Sequence, residues 1–372
     1  MIRTPRLRPA ARWRGARAVA AVAMLAGAMA AGAAVPASAA TGWTVQTVPN
    51  PAGTTATYLE GVSCPSASNC IAVGSTGPTD STTLDLAEHW NGSTWALQTA
   101  ASPAASTMPG LNAVSCPTAT YCVAVGANDP TATTSGAIAE SWNGSTWTLR
   151  PPVSPADAWL SAVSCTATTN CEAVGVDTAG TLAEHWNGSA WAAQTVPASV
   201  KGLTGVSCLS TSFCLAVNTG GQSTVWNGST WSAAETAADV EAYSVACTST
   251  TSCEAVGYSP GYGAGAERWN GSTWTYQSIP VSSEEDLFAV SCASAASCTA
   301  TGQALSGGSE YPLAEYWNGS YWGVQTTTEP SGAFNASFEG VSCATATTDC
   351  TAVGDWDTDT VSYRSLAEQR TS

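Results

Sequence analysis

Short apolar segments alternate with clusters of turn-forming residues along most of this chain, and none of them has a helical period. The first such group consists of residues 59–64, 70–74, 86–90 and 95–98. Each segment is rich in β-forming residues and is bounded by Gly, Pro, Asn or Ser, which is typical of antiparallel strands. The pattern therefore predicts an all-β fold in which four strands form one unit.

This unit occurs seven times, each time with a pair of cysteines, which in the first six units precedes a pair of tryptophans. A repeat of roughly 40 to 50 residues is typical of propellers and solenoids. The last unit ends before its tryptophan strand, and residues 42–46 match the missing segment. We therefore predict a seven-bladed β-propeller over residues 41–372, built from four-stranded antiparallel blades, with the N-terminal strand completing the last blade and leaving no open edge.

The cysteines of each unit are close in sequence and stand at the two ends of the connection between the first and second strands. We predict one disulfide within each blade, with free thiols or links between blades as the alternatives. The predicted pairs use all 14 cysteines: Cys64 with Cys70, Cys116 with Cys122, Cys165 with Cys171, Cys208 with Cys214, Cys247 with Cys253, Cys292 with Cys298, and Cys343 with Cys350.

An Asn-Gly-Ser segment separates the two tryptophan strands in six units, at Asn91, Asn143, Asn187, Asn227, Asn270 and Asn318. Asn-Gly predicts a type I′ hairpin turn, in which both central residues have a positive φ. A two-residue turn would place Trp90 opposite Ser93 and Glu88 opposite Trp95. Each segment is also a glycosylation sequon, so glycosylation is an alternative role.

Glutamate recurs on the third strand, as Glu88, Glu140, Glu184, Glu267, Glu315 and Glu368. The tryptophan pairs should wedge between neighbouring blades, where a carboxylate can accept an indole N–H. A catalytic or metal-binding role for this set is the alternative, but the third strand of a blade lies far from the axis. We therefore interpret these glutamates as structural.

Residues 1–40 read as a secretory signal peptide, because arginines precede an Ala-rich apolar run that ends in small residues. A membrane anchor is the alternative reading. Without this segment the chain retains five basic residues against 27 acidic ones. We expect a secreted protein that does not bind nucleic acid, does not insert into a membrane after signal removal, and is a monomer. Export also favours disulfides over metal ligands.

The connections between the second and third strands and between blades vary in length, and they emerge on the same end of a propeller. Variable loops on a rigid scaffold commonly carry binding sites. We predict a ligand surface there from the aromatic residues Trp159, Tyr258, Tyr262, Tyr311, Trp356 and Tyr363, with glycan or extracellular protein as the partner. The alternative is that these acidic loops serve solubility alone.

Three carboxylates, Asp355, Asp357 and Asp359, occupy alternate positions in the last unit. Oxygen ligands in this arrangement can bind calcium. The EF-hand pattern is incomplete, because Thr360 stands where Gly is needed and Leu366 where a bidentate Glu is needed. We expect no cofactor, with calcium as the alternative.

The order of these segments resembles the BNR or Asp-box repeat of seven-bladed propellers, which include sialidase-like and photosystem II assembly-factor-like proteins. The resemblance implies the propeller fold over the whole mature chain. It departs from the repeat in two ways, since Trp90 replaces the Asp of the Asp-box and the half-cystines are additional. A sialidase would also hold its substrate with three arginines near the axis, whereas Arg150, Arg268 and Arg370 lie at outer-strand positions.

These observations predict a secreted, non-catalytic binding propeller that recognises glycan or protein through its variable loops. Two alternatives remain: a carboxylate-dependent glycoside hydrolase or lyase, and a structural envelope or matrix protein without a specific ligand. Both histidines of the mature chain occupy one repeated strand position, so no Ser-His-Asp set is expected.

Overall fold

The computed structural model describes residues 42–371 except 81, 104–107, 132–133, 156, 234, 237–238, 281–283, 345–348 and 359–361. The predicted signal peptide and Asp359 lie outside the described residues. Every described element is a β-strand. The described part of the chain contains no helix that could cross a membrane.

The strands fall into seven groups. Blade 1 contains β2 (Ala56–Ser66), β3 (Asn69–Thr79), β4 (Thr82–Trp90) and β5 (Trp95–Gln98); blade 2 contains β6 (Gly110–Thr118), β7 (Tyr121–Thr131), β8 (Thr134–Trp142) and β9 (Trp147–Leu149). Blade 3 contains β10 (Trp159–Ala167), β11 (Asn170–Val176), β12 (Leu182–Trp186) and β13 (Trp191–Ala193); blade 4 contains β14 (Gly205–Ser210), β15 (Phe213–Val217), β16 (Gln222–Trp226) and β17 (Glu235–Thr236). Blade 5 contains β18 (Glu241–Ser249), β19 (Ser252–Ser259), β20 (Gly263–Trp269) and β21 (Trp274–Gln277); blade 6 contains β22 (Glu285–Ser294), β23 (Ser297–Ser306), β24 (Ser309–Trp317) and β25 (Trp322–Gln325). Blade 7 contains β26 (Asn335–Cys343), β27 (Cys350–Asp357), β28 (Tyr363–Arg370) and β1 (Thr44–Val45).

Each blade is a four-stranded antiparallel sheet, and in blades 1 to 6 the strands lie in chain order. Blade 7 has the order β26-β27-β28-β1, because β1 pairs with β28 through Thr44 opposite Gln369 and Val45 opposite Glu368. The all-β fold, the seven blades and the closure of the last blade by the N-terminal strand are therefore confirmed. Closure pairs an edge of β28 that would otherwise be open.

The first strands of the blades surround the axis, since each contacts the first strand of the next blade, and β26 contacts β2. Small residues permit this close approach. A Cβ added to Gly61 would lie 3.1 Å from both Ala113 Cα and Asn112 O of blade 2. Separate apolar clusters fill the spaces between blades, as where Leu86 and Trp90 of blade 1 pack against Val353 of blade 7.

A ring of hydrogen bonds joins these first strands. The serine before the first cysteine of one blade accepts a bond from the backbone N–H of the first cysteine in the next blade. Six such bonds measure 2.9–3.0 Å: Ser63 with Cys116, Ser115 with Cys165, Ser164 with Cys208, Ser207 with Cys247, Ser291 with Cys343, and Ser342 with Cys64. Ala246 replaces this serine in blade 5, and there Ser244 Oγ accepts from Val290 N at 3.2 Å.

Each blade carries the local disulfide that the cysteine spacing predicts, and no cysteine is free. The seven Cα–Cα distances are 3.9–4.1 Å, because most of the paired cysteines face each other directly across the first and second strands, as Cys165 faces Cys171. The bridges therefore lie at the end of the propeller that carries the short first hairpins. We call this end the hairpin face and the opposite end the loop face.

The turns between the tryptophans differ from the predicted type I′ turn. Trp90 pairs with Trp95, and Glu88 pairs with Leu97, so the predicted two-residue turn and its register are wrong. Gly92 has a positive φ of 94°, whereas Asn91 does not. Asn91 Oδ1 instead accepts from the backbone N–H groups of Ser93 (2.9 Å) and Thr94 (3.0 Å). The side-chain amide thus stabilises a longer loop, as Asx turns do.

The two tryptophans of each complete unit contact each other directly, with ring centroids 5.5–5.9 Å apart. Their predicted hydrogen-bond partner is wrong, because in blades 2, 4, 6 and 7 a glutamine at the end of the preceding blade accepts the second indole N–H, and in blade 5 Ser223 accepts it. Trp147 Nε1 donates to Gln98 Oε1 at 2.8 Å, and Trp322 Nε1 to Gln277 Oε1 at 2.7 Å. Tertiary packing of neighbouring blades brings these partners together.

The third-strand glutamates bind the connections between blades instead. Glu140 accepts from Ala101 N at 2.8 Å, Glu184 from Val153 N at 3.0 Å and Glu368 from Thr328 N at 3.2 Å. Each donor stands three residues after the last-strand position of Gln98, Arg150 or Gln325. The glutamates are therefore structural, as predicted, but they hold the backbone of the inter-blade connections.

In two other connections between blades, the residue three positions after the last-strand glutamine is a proline. These residues are Pro49, after Gln46, and Pro280, after Gln277, and neither has an N–H to donate. Within the described residues, neither Glu88 nor Glu315 has a hydrogen-bonded oxygen, and both side chains are fully buried. Burial raises the pKa of Glu88, and the nearby Ser365 hydroxyl lowers it by a smaller amount, so that the resulting pKa is about 8. Burial and the charge of Glu285 raise the pKa of Glu315 to about 8. Both carboxyls are thus largely protonated at neutral pH.

Candidate functional site

The six aromatic residues predicted to bind ligand lie at the loop face, but they do not form one surface. Tyr258 pairs with Glu241 at the end of β19, and Tyr311 pairs with Ala304 in β24. Tyr262 is at the tip of the β19–β20 hairpin and is 71% exposed. Trp159 begins the first strand of blade 3, at the axis. These residues are therefore spread over separate positions of the loop face.

Trp356 and Tyr363 belong to blade 7 but occupy opposite faces of its sheet. Trp356 packs with the cluster shared with blade 6, and the Arg364 guanidinium lies 5.3 Å from its ring centroid. Tyr363 instead meets blade 1, where its ring centroid is 5.1 Å from that of Tyr58. Both aromatic side chains are therefore already packed against other residues of the protein.

Asp355 and Asp357 of β27 lie on the same face of the blade 7 sheet as Tyr363 of β28, and both are buried. Asn335 Nδ2 donates to Asp357 Oδ2 at 3.0 Å. Asp359 is outside the described residues. Within the described ranges, no group of three or more His, Cys, Asp or Glu residues is placed to hold a metal ion. Calcium binding by these aspartates stays a prediction.

The first strands carry a feature that the sequence interpretation missed, a β-bulge at the same level of six blades. The bulge follows a buried apolar residue, such as Leu59, Leu160 or Leu287, and leaves the next residue out of the pairing. Bulges re-aim side chains and are common beside functional sites. Here they create two rings of side chains around the axis.

We name these rings by their position relative to the buried apolar residue. The first axial ring consists of the residues immediately before the buried apolar residue, on the loop-face side: Tyr58, Gly110, Trp159, Gly202, Glu241, Asp286 and Ser337. The second axial ring consists of the residues immediately after the buried apolar residue: Glu60, Asn112, Ser161, Thr204, Tyr243, Phe288 and Glu339. Thr204 occupies this position without a bulge. Blade 4 is the exception because its first strand begins at Gly205.

Second-ring side chains reach toward the next blade around the axis. Asn112 Nδ2 donates to Leu160 O at 2.8 Å, and Thr204 Oγ1 donates to Ala242 O at 2.7 Å. Tyr243 of blade 5 contacts Phe288 of blade 6, with ring centroids 6.1 Å apart and planes at 52°. The second ring therefore helps to fix the blades around the axis.

The two rings contain four carboxylates, Glu60, Glu241, Asp286 and Glu339, and no Lys, Arg or His. Two of the carboxylates, Glu241 and Asp286, hold equivalent positions in neighbouring blades. Burial, and then the charge of Glu241, raise the pKa of Asp286 to about 6. Burial together with Asp286, Glu241 and Tyr258 raises the pKa of the Tyr243 phenol. Glu241, Tyr243, Tyr258, Asp286 and Phe288 thus form one acidic and aromatic group, which we call the blade 5–6 cluster.

The basic residues of the described chain lie elsewhere. Arg268 forms an ion pair with Glu254 at 2.7 Å on the outer part of blade 5, and Arg150 Nε donates to Ser141 Oγ at 2.9 Å in blade 2. Arg370 is buried in β28 beside Tyr316. Arg364 stacks on Trp356, and Lys201 is exposed in the connection between blades 3 and 4. The arginines therefore do not converge as a sialidase site would require.

The rings could have been found from the sequence by aligning the residues immediately before and after the buried apolar position of each repeat. The signal is weak, because these positions differ in every blade and the bulge cannot be read from one repeat. The sequence predicts Trp159 as a binding residue, but as part of a loop surface and not of a ring.

Comparison with known proteins identifies the fold. No protein-family model matches the chain, and no curated protein matches it in sequence. The structure is similar to that of YCF48 bound to a D1 peptide (TM-score 0.61, 13% identity, covering 91% of this chain and 98% of that one). It is also similar to YCF48 from Cyanidioschyzon merolae (0.56, 14%, 89% and 99%) and to the WD40 propeller domain of Doa1 (0.57, 12%, 88% and 97%).

These likenesses show the fold alone. At these identities they carry no residue roles to this chain. The propeller fold implied by the repeat resemblance is confirmed, whereas the BNR or Asp-box assignment and secretion stay predictions.

Proposed function

We propose that this protein is a non-catalytic binding module that holds a segment of another protein at the loop face, over the axial rings. One observation carries the proposal: the two rings place four half-buried carboxylates and the half-buried indole of Trp159 around the axis, without a basic residue. Such a surface offers charge and aromatic contact area at the centre of a rigid scaffold. Aromatic anchors and desolvated charges commonly dominate recognition.

The rigidity of the scaffold supports this proposal. Disulfides within the blades and the serine–cysteine hydrogen bonds fix the first strands on the hairpin face, below the rings. A ligand then needs to order little of the protein on binding, which favours affinity. The structure of YCF48 bound to a D1 peptide has the same fold, which supports a polypeptide as the ligand.

Export is part of the proposal. Seven disulfides fit an oxidising compartment and would be rare in the cytosol. The partner would therefore be an extracellular polypeptide, and a glycan is the other outcome of the test.

The test is selection of a displayed peptide library, and in parallel a glycan array, on residues 41–372. Trp159→Ala removes an aromatic side chain at the axis, whereas Trp356→Ala removes one between blades 6 and 7. We expect Trp159→Ala to weaken the selected ligands and Trp356→Ala to leave them bound, with melting temperatures measured for both. Equal binding by both variants would contradict the axial location. Empty selections would favour a structural protein without a specific ligand.

A second candidate function rests on a carboxyl with a raised pKa beside a second carboxyl. Burial, and then the charge of Glu241, raise the pKa of Asp286 to about 6. A carboxyl with a raised pKa can act as the general acid of a glycoside hydrolase or lyase. Turnover in a polysaccharide panel that is lost in Asp286→Asn would establish this function in place of simple binding.

A further inference from the structure

The disulfide of blade 7 differs from the other six in the residue that faces its buried cysteine. In blades 1 to 6 a tryptophan of the third strand lies opposite the second cysteine, as Trp90 lies opposite Cys70. In blade 7 the residue at this position is Arg370, opposite Cys350. The indole N–H of Trp90 donates to Ala67 O at 3.2 Å. The guanidinium instead reaches the sulfur, since Arg370 Nη2 donates to Cys350 Sγ at 3.5 Å.

A threonine of blade 6 provides a second donor to the same sulfur. Thr299 Oγ1 lies 3.5 Å from Cys350 Sγ, and the hydroxyl is the donor because a disulfide sulfur has no proton. Arg370 and Thr299 are both buried. Blade 1 has the equivalent hydroxyl, Thr351 Oγ1 at 3.7 Å from Cys70 Sγ, but a tryptophan opposite the cysteine. The guanidinium is therefore what distinguishes the blade 7 disulfide from that of blade 1.

The guanidinium of Arg370 is fixed beside the disulfide by several groups. Its central carbon lies 5.2 Å from the ring centroid of Tyr316 and 6.0 Å from that of Trp43. Asp349 is close enough for its charge to act on the guanidinium. An arginine has five N–H donors, so it can serve a carboxylate and a sulfur together. A positive charge beside a cysteine stabilises the thiolate. Arg370 thus places a cation where a Cys350 thiolate would form.

The two cysteines of this bridge differ in their access to solvent. Cys350 is buried, whereas Cys343 is half-buried. An external thiolate can therefore approach the sulfur of Cys343 more easily than that of Cys350. Attack at Cys343 makes Cys350 the leaving group, and exchange is faster when the leaving thiol has a lower pKa.

We infer that Cys343–Cys350 is a site of thiol–disulfide exchange with an external dithiol, and that it is the first of the seven bridges to be reduced. A thiolate of the dithiol attacks the Cys343 sulfur, the S–S bond breaks, and Cys350 leaves as a thiolate beside Arg370. The second thiolate of the reagent then displaces Cys343, which takes up a proton. The reagent becomes a disulfide, and the cysteine pair gains two electrons. The bridge joins β26 to β27 in the blade that β1 closes, so its reduction removes a covalent link at the closure of the ring.

The experiment follows reduction of each bridge in the oxidised protein. The folded protein is treated with dithiothreitol, samples are quenched with iodoacetamide over time, and mass spectrometry after digestion quantifies the alkylation of each cysteine pair. We expect Cys343 and Cys350 to be alkylated at least about fivefold faster than the other pairs. Reduction of this bridge together with or after the others would overturn the inference. With glutathione in place of the dithiol, the mixed disulfide should form on Cys343; its formation on Cys350 would overturn the direction of attack.

The controls separate the charge of Arg370 from its packing and from the length of the connection. Arg370→Met removes the charge and should slow reduction of this bridge about three- to tenfold, whereas Arg370→Lys should keep most of the rate. Arg370→Trp, which introduces the residue of blades 1 to 6, is a second neutral variant in case the first does not fold. A loss of packing alone would speed reduction, so slower reduction in a folded variant identifies the charge effect; melting temperatures verify folding.

The cysteines of blade 7 are seven positions apart, against six in the other blades. If the neutral variants are reduced as fast as the wild type, this longer connection explains the rate and the inference is overturned.

Discussion

The replacement Glu88→Gln tests how a buried glutamate without a backbone N–H donor affects the stability of this propeller. Glu88 is fully buried against blade 7, and Pro49 stands where other blades supply a backbone N–H. Burial raises its pKa to about 8 from the ordinary value of 4.5. Glutamine has the same shape but no charge at any pH, so it removes the titration and keeps the packing.

The sign of the effect follows from proton binding. Between pH 4.5 and 8 the folded protein keeps the proton of Glu88, whereas the unfolded chain has released it. The free energy of unfolding therefore falls as the pH rises, by at most about 1.4 kcal/mol per pH unit. From pH 5 to pH 8 this single group should lower the stability of the wild type by about 3 to 4 kcal/mol. Glu88→Gln should lack this loss, so it should match the wild type at pH 5 and exceed it at pH 8.

Equilibrium guanidinium unfolding, followed by tryptophan fluorescence at pH 5, 6, 7 and 8, measures the effect. The wild type will also lose stability through other buried acids, so the quantity of interest is the difference between the two proteins at each pH. Glu329→Gln, at an exposed acid, serves as the control and should follow the wild type. A constant difference between wild type and Glu88→Gln across this pH range would refute the reasoning.

Three further predictions concern contacts between blades. Ala246→Ser should supply the acceptor that blade 5 lacks in the serine–cysteine ring and raise the free energy of unfolding by about 1 kcal/mol, measured by chemical denaturation; no gain would show that the ring bonds do not contribute. Gln98→Ala should cost about 1 kcal/mol in the same assay because it removes an indole acceptor, whereas Gln46→Ala, at the equivalent position of β1, should cost less than half of that. Deletion of residues 42–46 should lower the melting temperature and make blade 7 the first region to exchange amide hydrogens, since β28 would become an open edge; uniform exchange across the blades would contradict closure by β1.

Much of the fold could be predicted because its signals lie within one repeat. Cysteines six residues apart, such as Cys208 and Cys214, are brought together by a single hairpin, so their pairing needs no information from other blades. The match of residues 42–46 to residues 94–98 likewise predicted ring closure. The turn register was wrong for a local reason, since the Asn91 side chain competes with the backbone for the turn hydrogen bonds.

The roles of polar residues depended on neighbouring blades. Gln98 accepts an indole hydrogen bond from a tryptophan 49 residues away, and Glu140 accepts from an N–H 39 residues away. Both donors come from positions that a single repeat does not relate to their acceptors. The absence of a donor for Glu88 could have been found from Pro49 only after this contact was known.

The sequence by itself determined the all-β repeat, the number of blades, the disulfide pairs and the strand that closes the ring, because each is specified by short-range spacing or by a match between repeats. Only the tertiary structure decided which side chains meet at the axis. Glu241 and Asp286 are 45 positions apart in the chain, and they become neighbours because closure packs first strands side by side and a bulge re-aims the residues beside them.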